Sequence, residues 1–249
     1  MKISFVIPAY NEGALIGSCI RSILRAIEAA AVTAEIIVVD NASTDRTADV
    51  AATFPGVRVI NEPRKSTSRA RQAGYLASKG ELIANIDADN ELPSGWIATV
   101  MSTFNREPGL VCLMGPTIYH DLPFITRWSV HVLYYYLGYA SWQVMRLITG
   151  KGVIAQGGNC VIRRSALDQV GGYDLAYDFY GDDVATARRL QSAGKVKFTF
   201  RLPIYGSGRR IAATGFFTMA YRYAINYVWT VLFGRALTKD ARAVRSPYT

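Results

Sequence analysis

Four short runs rich in isoleucine and valine alternate with helix-like stretches in the first 90 residues. The β-like runs are Ile3–Pro8, Glu35–Asp40, Val57–Asn61 and Glu81–Asp87. The helix-like stretches between them cover about residues 13–30, 44–53 and 66–78. Such alternation is typical of successive βαβ units, whose parallel strands are buried between two layers of helices. The sequence therefore predicts an α/β fold with a mainly parallel central sheet flanked by helices.

Polar residues follow three of these four runs: Tyr10-Asn11-Glu12, Asp40-Asn41 and Asp87-Ala88-Asp89. Ligands of open α/β sheets bind outside the carboxyl ends of the strands. We therefore expect the three loops to meet in one cleft and to form the active site.

The rest of the chain continues the pattern less regularly. It contains a helix that ends near Arg106, a strand at Leu110–Tyr119, a short strand after Gln156-Gly157-Gly158-Asn159, and helices at Gly181–Ala193 and Thr214–Phe233. We expect a catalytic domain over residues 1–210, with one half at 1–110 and the other at 111–210. A basic, aromatic helix and tail occupy 211–249.

The positive charge is concentrated at the C-terminus. The 249 residues carry a net charge of +9, of which +7 lies within residues 201–249. A neutral body with a basic, aromatic end fits an anionic membrane leaflet better than nucleic acid. We therefore expect an anionic membrane surface as a partner and no nucleic acid.

Membrane association of this kind is expected to be peripheral. The 18 uncharged residues between Arg127 and Arg146 are interrupted by His131, Gln143 and several aromatic side chains, which favours an amphipathic interfacial helix over a span. Packing within the fold or a dimer contact is the alternative for both aromatic helices. Three scattered cysteines and a strand-like N-terminus predict a cytoplasmic protein without a signal peptide.

Carboxylates are the main candidates for chemistry. The sequence has no GxGxxG after its first strand and no GxxxxGK[ST], which disfavours dinucleotide-binding and P-loop enzymes. Its two histidines, His120 and His131, lie near no nucleophile motif. We therefore expect acidic side chains to carry most of the catalytic chemistry.

The Asp87-Ala88-Asp89-Asn90-Glu91 segment leaves an apolar strand and directs several oxygen ligands into a small volume. Mg²⁺ and Mn²⁺ take such ligands when they also bind substrate phosphates. A solvated turn that caps the next helix is the alternative. An EF-hand is excluded because loop positions 6 and 12 hold Leu92 and Ala98.

Two further acidic segments begin helices. Asp182-Asp183 starts one helix and could serve as a cap and dipole partner alone. In the segment from Asp40 to Asp45, Ser43 or Thr44 is the expected cap of the next helix, which leaves Asp40 available for another role.

Taken together, these segments resemble the family-2 inverting glycosyltransferases of the GT-A fold, over residues 3–200. The matching segments are Phe5–Glu12, Ile37–Asp45, Ala70–Gly74, Asp87-Ala88-Asp89, Gln156–Asn159, Arg164–Leu167, Val170–Asp174 and Asp182–Leu190. Their common order carries the assignment, because each of them alone is weak.

The resemblance implies a role for each matching residue. Pro8, Ala9, Tyr10, Glu12 and Asp40 are implied to hold the nucleotide base and ribose, with Arg71 near the diphosphate and Asp87 and Ala88 on the sugar nucleotide. Asp89, Asp87 and Glu91 are implied to ligate Mg²⁺ or Mn²⁺, and Gly158 and Asn159 to contact the acceptor. The general base is carried to Asp183, with Asp182 as the alternative, because family members usually read Glu-Asp there.

The implied activity is the metal-dependent, inverting transfer of one sugar from a UDP- or GDP-sugar to a hydroxyl. The Gln-x-x-Arg-Trp signature of processive synthases is absent, which favours single addition. We expect a lipid-linked or cell-envelope glycan as acceptor. The alternatives are a polyprenyl-phosphate glycosyltransferase and a nucleotide-sugar-binding protein without activity.

Overall fold

The computed structural model describes residues 1–132, 136, 138–149, 155–178, 181–234 and 237. Its strands form a large and a small sheet. The large sheet contains β1 (Ile3–Ala9), β2 (Ala34–Asp40), β3 (Val57–Asn61), β4 (Leu82–Ile86), β6 (Leu110–Met114), β8 (Asn159–Arg163) and β9 (Lys195–Phe198). The small sheet contains β5 (Asn90–Glu91), β7 (Thr117–Tyr119) and β10 (Ile204–Gly206).

The large sheet has the strand order β3-β2-β1-β4-β8-β6-β9. Strands β3, β2, β1 and β4 run parallel, and β8 lies antiparallel to both β4 and β6. In this register Ala9 pairs with Asp40, so the loops after β1 and β2 leave the sheet at the same edge. The predicted α/β fold with a mainly parallel sheet is confirmed.

Helices cover both faces of the large sheet. They are α1 (Ile16–Ala30), α2 (Thr47–Ala52), α3 (Thr67–Ala77), α4 (Trp96–Arg106), α5 (Phe124–Val130), α6 (Gly138–Thr149), α7 (Arg164–Val170), α8 (Asp182–Leu190), α9 (Arg209–Thr214) and α10 (Phe216–Phe233). The helices α1, α2 and α4 share one buried cluster with the sheet. The helices α3, α7 and α8 share the other. Burial on both faces explains why the central strands are almost entirely apolar.

The segment predicted as one strand at Leu110–Tyr119 is two strands in different sheets. Strand β6 ends at Met114, and β7 begins at Thr117 beside β10. A Cβ atom on Gly115 would lie only 1.8 Å from the carbonyl oxygen of Leu202, so the chain approaches a neighbouring backbone too closely to continue as a regular strand. The prediction of a single strand was therefore wrong: the chain leaves the large sheet near Gly115, where it passes close to the backbone of Leu202.

The helix predicted at Thr214–Phe233 corresponds to α10, which begins two residues later, and the short helix α9 precedes it. Gly215 lies between α9 and α10 with φ of 81°, a conformation that favours glycine. One face of α10 packs on α8: Arg188 Nη1 donates to the carbonyl oxygens of Thr230 and Val231 at 3.1 and 3.2 Å. Val231 belongs to the same buried cluster as α8, so the C-terminal helix shares the core of the catalytic part.

The opposite side of α10 is exposed, as is part of α5. Phe217 and Tyr221 on α10, and Phe124, Ile125 and Trp128 on α5, are among the exposed large apolar side chains. Helices α5 and α10 both contribute to a small apolar cluster whose buried residues are Leu122, Val130 and Ile211. No helix within the described part of the chain is long and apolar enough to cross a membrane. Leu133, Tyr135 and Leu137 of the predicted aromatic helix lie outside the described residues.

Candidate active site

The loops after β1 and β2 are interlocked by hydrogen bonds. The backbone N–H of Asn11 donates to Ser43 Oγ at 3.0 Å, and that of Thr44 donates to Asn11 Oδ1 at 2.7 Å. The backbone N–H of Asn41 donates to the carbonyl oxygen of Ala9 at 2.8 Å. These bonds confirm that the first two polar loops meet at the edge of the sheet.

The capping role expected for Ser43 or Thr44 is therefore wrong. Both side chains contact the first loop instead, and α2 begins only at Thr47. There the N–H of Thr47 donates to Asp45 Oδ1 at 2.9 Å. Asp45 Oδ2 also accepts from the N–H of Gly13 at 3.0 Å, so this acid orders the helix start and the first loop together.

The residues expected around the nucleotide base lie at this junction. Ala9 and Asp40 are buried, while Pro8 and Tyr10 are partly exposed. Asp40 Oδ1 accepts a long hydrogen bond from the N–H of Ser43, at 3.3 Å. The ammonium group of Lys65 lies 3.8 Å from the centre of the Tyr10 ring, a cation–π contact that the sequence did not predict.

The loop of Asp87, Ala88 and Asp89 lies beside the loop before β8. The backbone N–H of Asp87 donates to the carbonyl oxygen of Gly158 at 3.3 Å, and Asn90 Nδ2 donates to the same oxygen at 2.9 Å. A Cβ atom on Gly158 would lie 2.0 Å from Asp87 Oδ2. Only glycine at position 158 leaves room for the Asp87 carboxylate, while the Ala88 side chain is buried.

Asn159 lies directly below this loop and is completely buried. Its Oδ1 accepts from Trp96 Nε1 at 3.2 Å, and its Nδ2 donates to the carbonyl oxygen of Leu202 at 2.8 Å. The amide of Asn159 is therefore engaged within the protein. The acceptor contacts expected for Gly158 and Asn159 stay predictions, for which the Asn159 side chain would first have to break these bonds.

Arg71, on α3, connects the two acidic segments. Its guanidinium is paired with the Asp182 carboxylate and lies 3.4 Å from Asp87 Oδ1. Burial alone would lower the pKa of Arg71, but the charges of Asp182 and Asp87 raise it, so the guanidinium remains charged. Burial raises the pKa of Asp182, and Arg71 opposes that shift.

Asp183 is adjacent to Asp182 but has a different environment. Its carboxylate accepts from the N–H of Val184 at 2.8 Å, and it forms no ion pair within 4.0 Å in the described part of the chain. Burial raises the pKa of Asp183, and Arg71 opposes the shift. A carboxylate without an ion pair and with a raised pKa is suited to accept a proton.

Arg209 is the residue that sequence reasoning missed. It is the first residue of α9, and its Nη2 is paired with Glu12 and lies 3.2 Å from Asp89 Oδ2. Burial and the nearby charge of Asp87 raise the pKa of Asp89 to about 7, and Arg209 opposes the shift. The signal in the sequence is the adjacent Arg209-Arg210 pair, which follows β10 closely.

The acids around this loop fit a hard cation that also binds substrate. Within the described residues, no three His, Cys, Asp or Glu side chains form a group that could hold a metal ion alone. Mg²⁺ commonly binds one or two carboxylates and takes its other ligands from phosphates and water. Asp89 already holds the positive charge of Arg209, which shows that this position attracts a cation. Glu91 lies in β5, opposite Tyr205.

Comparison with models of known protein families shows which family the chain belongs to. The model of the family described as "Glycosyl transferase family 2" matches residues 4–171, which is more than half of the sequence. The chain belongs to glycosyl transferase family 2. The matched region contains the polar loops after β1, β2 and β4, Arg71 and the Gly158 turn. Asp182, Asp183 and Arg209 lie beyond it.

Curated relatives of this family-2 chain match it over part of its length. A dolichyl-phosphate beta-glucosyltransferase of Trichomonas vaginalis is 40% identical over 96 residues, 34% of this chain and 28% of the relative. An undecaprenyl-phosphate 4-deoxy-4-formamido-L-arabinose transferase of Edwardsiella ictaluri is 33% identical over 97 residues, 36% and 30% of the two chains. The match spans about a third of the length of these relatives.

Solved structures confirm the GT-A fold of this family-2 chain. A mannosyltransferase of Pyrobaculum calidifontis, solved with GDP-Man and Mn²⁺, superimposes with a TM-score of 0.66 at 17% identity, covering 94% of this chain and 65% of that one. Glucosyl-3-phosphoglycerate synthase of Mycobacterium tuberculosis, solved with Mn²⁺, UDP-glucose and phosphoglyceric acid, gives 0.61 at 18% identity and covers 93% and 78%. At this identity the likeness establishes the fold.

Proposed function

We propose that the protein transfers one sugar from a nucleotide diphosphate sugar to a hydroxyl acceptor, with inversion at the anomeric carbon. The observation that carries this proposal is the Arg71 ion-pair network. It joins the Asp87 loop to the start of α8, where Asp183 forms no ion pair with any residue that the structure describes. The donor-side and acceptor-side acids expected from the family pattern thus lie around one buried cation.

In this reaction Asp183 acts as the general base. Its carboxylate accepts the proton of the acceptor hydroxyl as that oxygen forms a bond to the anomeric carbon. The bond from this carbon to the diphosphate oxygen breaks at the same time, so one displacement inverts the carbon. Asp182 is less suited to this role, because its carboxylate is already paired with Arg71.

Asp89 and Asp87 are the residues that would hold Mg²⁺ or Mn²⁺, with Glu91 as a further ligand. When bound, the cation supplies positive charge that stabilises the diphosphate leaving group. Burial and the charge of Asp87 raise the pKa of Asp89 to about 7, which reflects the free-energy cost of ionising this carboxyl group in its surroundings. A bound cation would lower that cost.

The donor side is proposed to bind UDP or GDP. Pro8, Ala9, Tyr10 and Asp40 surround the junction of the first two loops, where a flat base could lie near the Tyr10 ring. Glu12 is proposed to contact the ribose. Neighbours of the same fold were solved with UDP-glucose and with GDP-Man, so both nucleotides are kept in the proposal.

The acceptor is proposed to be a lipid-linked or cell-envelope glycan at the cytoplasmic face of a membrane. Exposed Phe124, Ile125, Trp128, Phe217 and Tyr221 offer apolar side chains on neighbouring elements. Aromatic residues of this kind favour the interface between lipid and water. Two relatives are named as transferases of dolichyl phosphate and undecaprenyl phosphate. These names favour a polyprenyl phosphate as the second candidate acceptor.

The test is a transfer assay with UDP- and GDP-sugars, each offered with a lipid-linked glycan or with a polyprenyl phosphate. Acceptor-dependent release of the nucleoside diphosphate, with a product of inverted anomeric configuration, supports the proposal. The Asp183→Asn variant is the matched negative control. Binding of a nucleotide sugar without turnover on any acceptor would instead support the non-catalytic alternative.

A further inference from the structure

A positive side chain already contacts Asp89, one of the residues proposed to hold the metal. Arg209 Nη2 is paired with Glu12 and lies 3.2 Å from Asp89 Oδ2. The three residues come from the loop after β1, the loop after β4 and the start of α9. The C-terminal part of the chain thus neutralises two acids of the donor half.

The Arg209 backbone is held in place by the loop after β7. Asp121 Oδ2 accepts from Ser207 Oγ, and Asp121 Oδ1 accepts from the N–H of Gly208, both at 2.6 Å. A Cβ atom on Gly208 would lie 2.2 Å from Leu122 Cγ, so the turn packs tightly against this loop. The Arg209 guanidinium is therefore directed to the acids by a fixed turn.

The charges around Arg209 favour this position. Glu12 is buried, and 23% of the Asp89 side chain is exposed. Asp87, two residues from Asp89, adds a third negative charge. Charges that are partly shielded from water interact more strongly than exposed ones. A divalent cation on Asp89 would place a second positive charge beside the guanidinium, and the two would repel each other.

We propose that Arg209 is a resident counter-ion of Asp89 that competes with the divalent metal. In the donor-free protein, metal binding then requires the guanidinium to leave Asp89. A donor diphosphate brings negative charge that accommodates both cations, so metal and nucleotide bind cooperatively. This inference rests on the metal dependence in the proposed function.

The experiment measures Mn²⁺ binding to the full chain without donor, from the loss of the free Mn²⁺ signal in electron paramagnetic resonance. Arg209→Gln removes the competing charge and should lower the dissociation constant by about tenfold or more. Arg209→Lys keeps the charge and should bind Mn²⁺ as weakly as the wild type. Arg106→Gln, an exposed change at the end of α4, is the matched control.

The same titration with UDP or GDP present measures the cooperativity. Nucleotide should strengthen Mn²⁺ binding more in the wild type than in Arg209→Gln, because the variant has lost the guanidinium that is paired with Asp89. Unchanged or weaker Mn²⁺ binding by donor-free Arg209→Gln would overturn the inference, as would tight binding by Arg209→Lys. Sugar transfer that persists in EDTA would instead count against the metal in the proposed function, so the two failures are distinguishable.

Discussion

The guanidinium of Arg71 is paired with the carboxylate of Asp182, 111 residues further along the chain. This ion pair lies between the donor-side acid Asp87 and the proposed base Asp183. It gives two adjacent aspartates different roles, since one balances a buried cation and the other has no ion pair in the described part of the chain.

Replacing each aspartate by asparagine should therefore have different effects. Asp183→Asn should lower kcat by about 10²–10⁴-fold, the usual effect of losing a general base, while nucleotide affinity stays near that of the wild type. Asp182→Asn should lower stability, because it leaves the buried charge of Arg71 poorly compensated. Steady-state kinetics, calorimetry and thermal melting measure these effects. A larger loss of kcat in Asp182→Asn would assign the base to Asp182.

The pH dependence of turnover should reflect the raised pKa of Asp183. The base works only when deprotonated, and burial raises its pKa above the ordinary value of about 3.9. With saturating donor, kcat should fall as the pH is lowered through this raised pKa. Thermal melting and nucleotide binding over the same pH range are the controls. A flat profile down to the ordinary range of aspartate would contradict the assignment.

Metal dependence should be lost with Asp89. Asp89→Asn should lower metal-dependent turnover on the order of 100-fold, because the cation loses an anionic oxygen ligand and the leaving group is less stabilised. The exposed Asp49, on α2, provides the control variant Asp49→Asn. EDTA should abolish wild-type turnover, and added Mn²⁺ should restore it. Normal activity of Asp89→Asn in EDTA would show that the metal role is wrong.

Asp40 and Asp45 lie close together in sequence, but replacing them should have different effects. One change should affect nucleotide binding and the other the stability of the fold. Asp40→Ala should weaken UDP or GDP binding, because a buried acceptor group is lost opposite the base. Asp45→Ala should instead lower stability by about 1 kcal/mol through the lost cap on Thr47, with nucleotide affinity less affected. Calorimetry and chemical denaturation measure the two effects. Unchanged nucleotide affinity in Asp40→Ala would limit Asp40 to a structural role.

Membrane binding should depend on the exposed side chains of α5 and α10. Trp128→Glu combined with Phe217→Glu should reduce co-sedimentation with anionic vesicles, since both residues are largely exposed, at 61% and 82%. Leu76→Glu, equally apolar and 69% exposed on α3, is the control. Neutral vesicles should bind poorly, and NaCl should weaken binding, because basic residues near an anionic leaflet contribute about 1 kcal/mol each. Absence of wild-type protein from the anionic pellet would refute membrane binding.

Sequence patterns correctly predicted the strands that depend only on a contiguous run of residues. The runs of Ile3–Pro8 and Val57–Asn61 became β1 and β3 because apolar β-branched residues fit strands buried on both faces. The meeting of the first two loops also followed from sequence, since parallel strands end at the same edge of a sheet. Boundaries that depend on distant packing were missed: Gly115 breaks a strand because Leu202 approaches it from 87 residues away.

The sequence by itself determined the α/β architecture, the family and the set of acids, because all three are encoded in short contiguous segments. Only the tertiary structure decided how those acids are paired. Arg71 pairs with Asp182, and Arg209 lies between Glu12 and Asp89. These ion pairs join segments that are more than 100 residues apart in sequence and that come together, partly shielded from water, only in the folded chain. The spacing of residues along the sequence carries no information about such pairs.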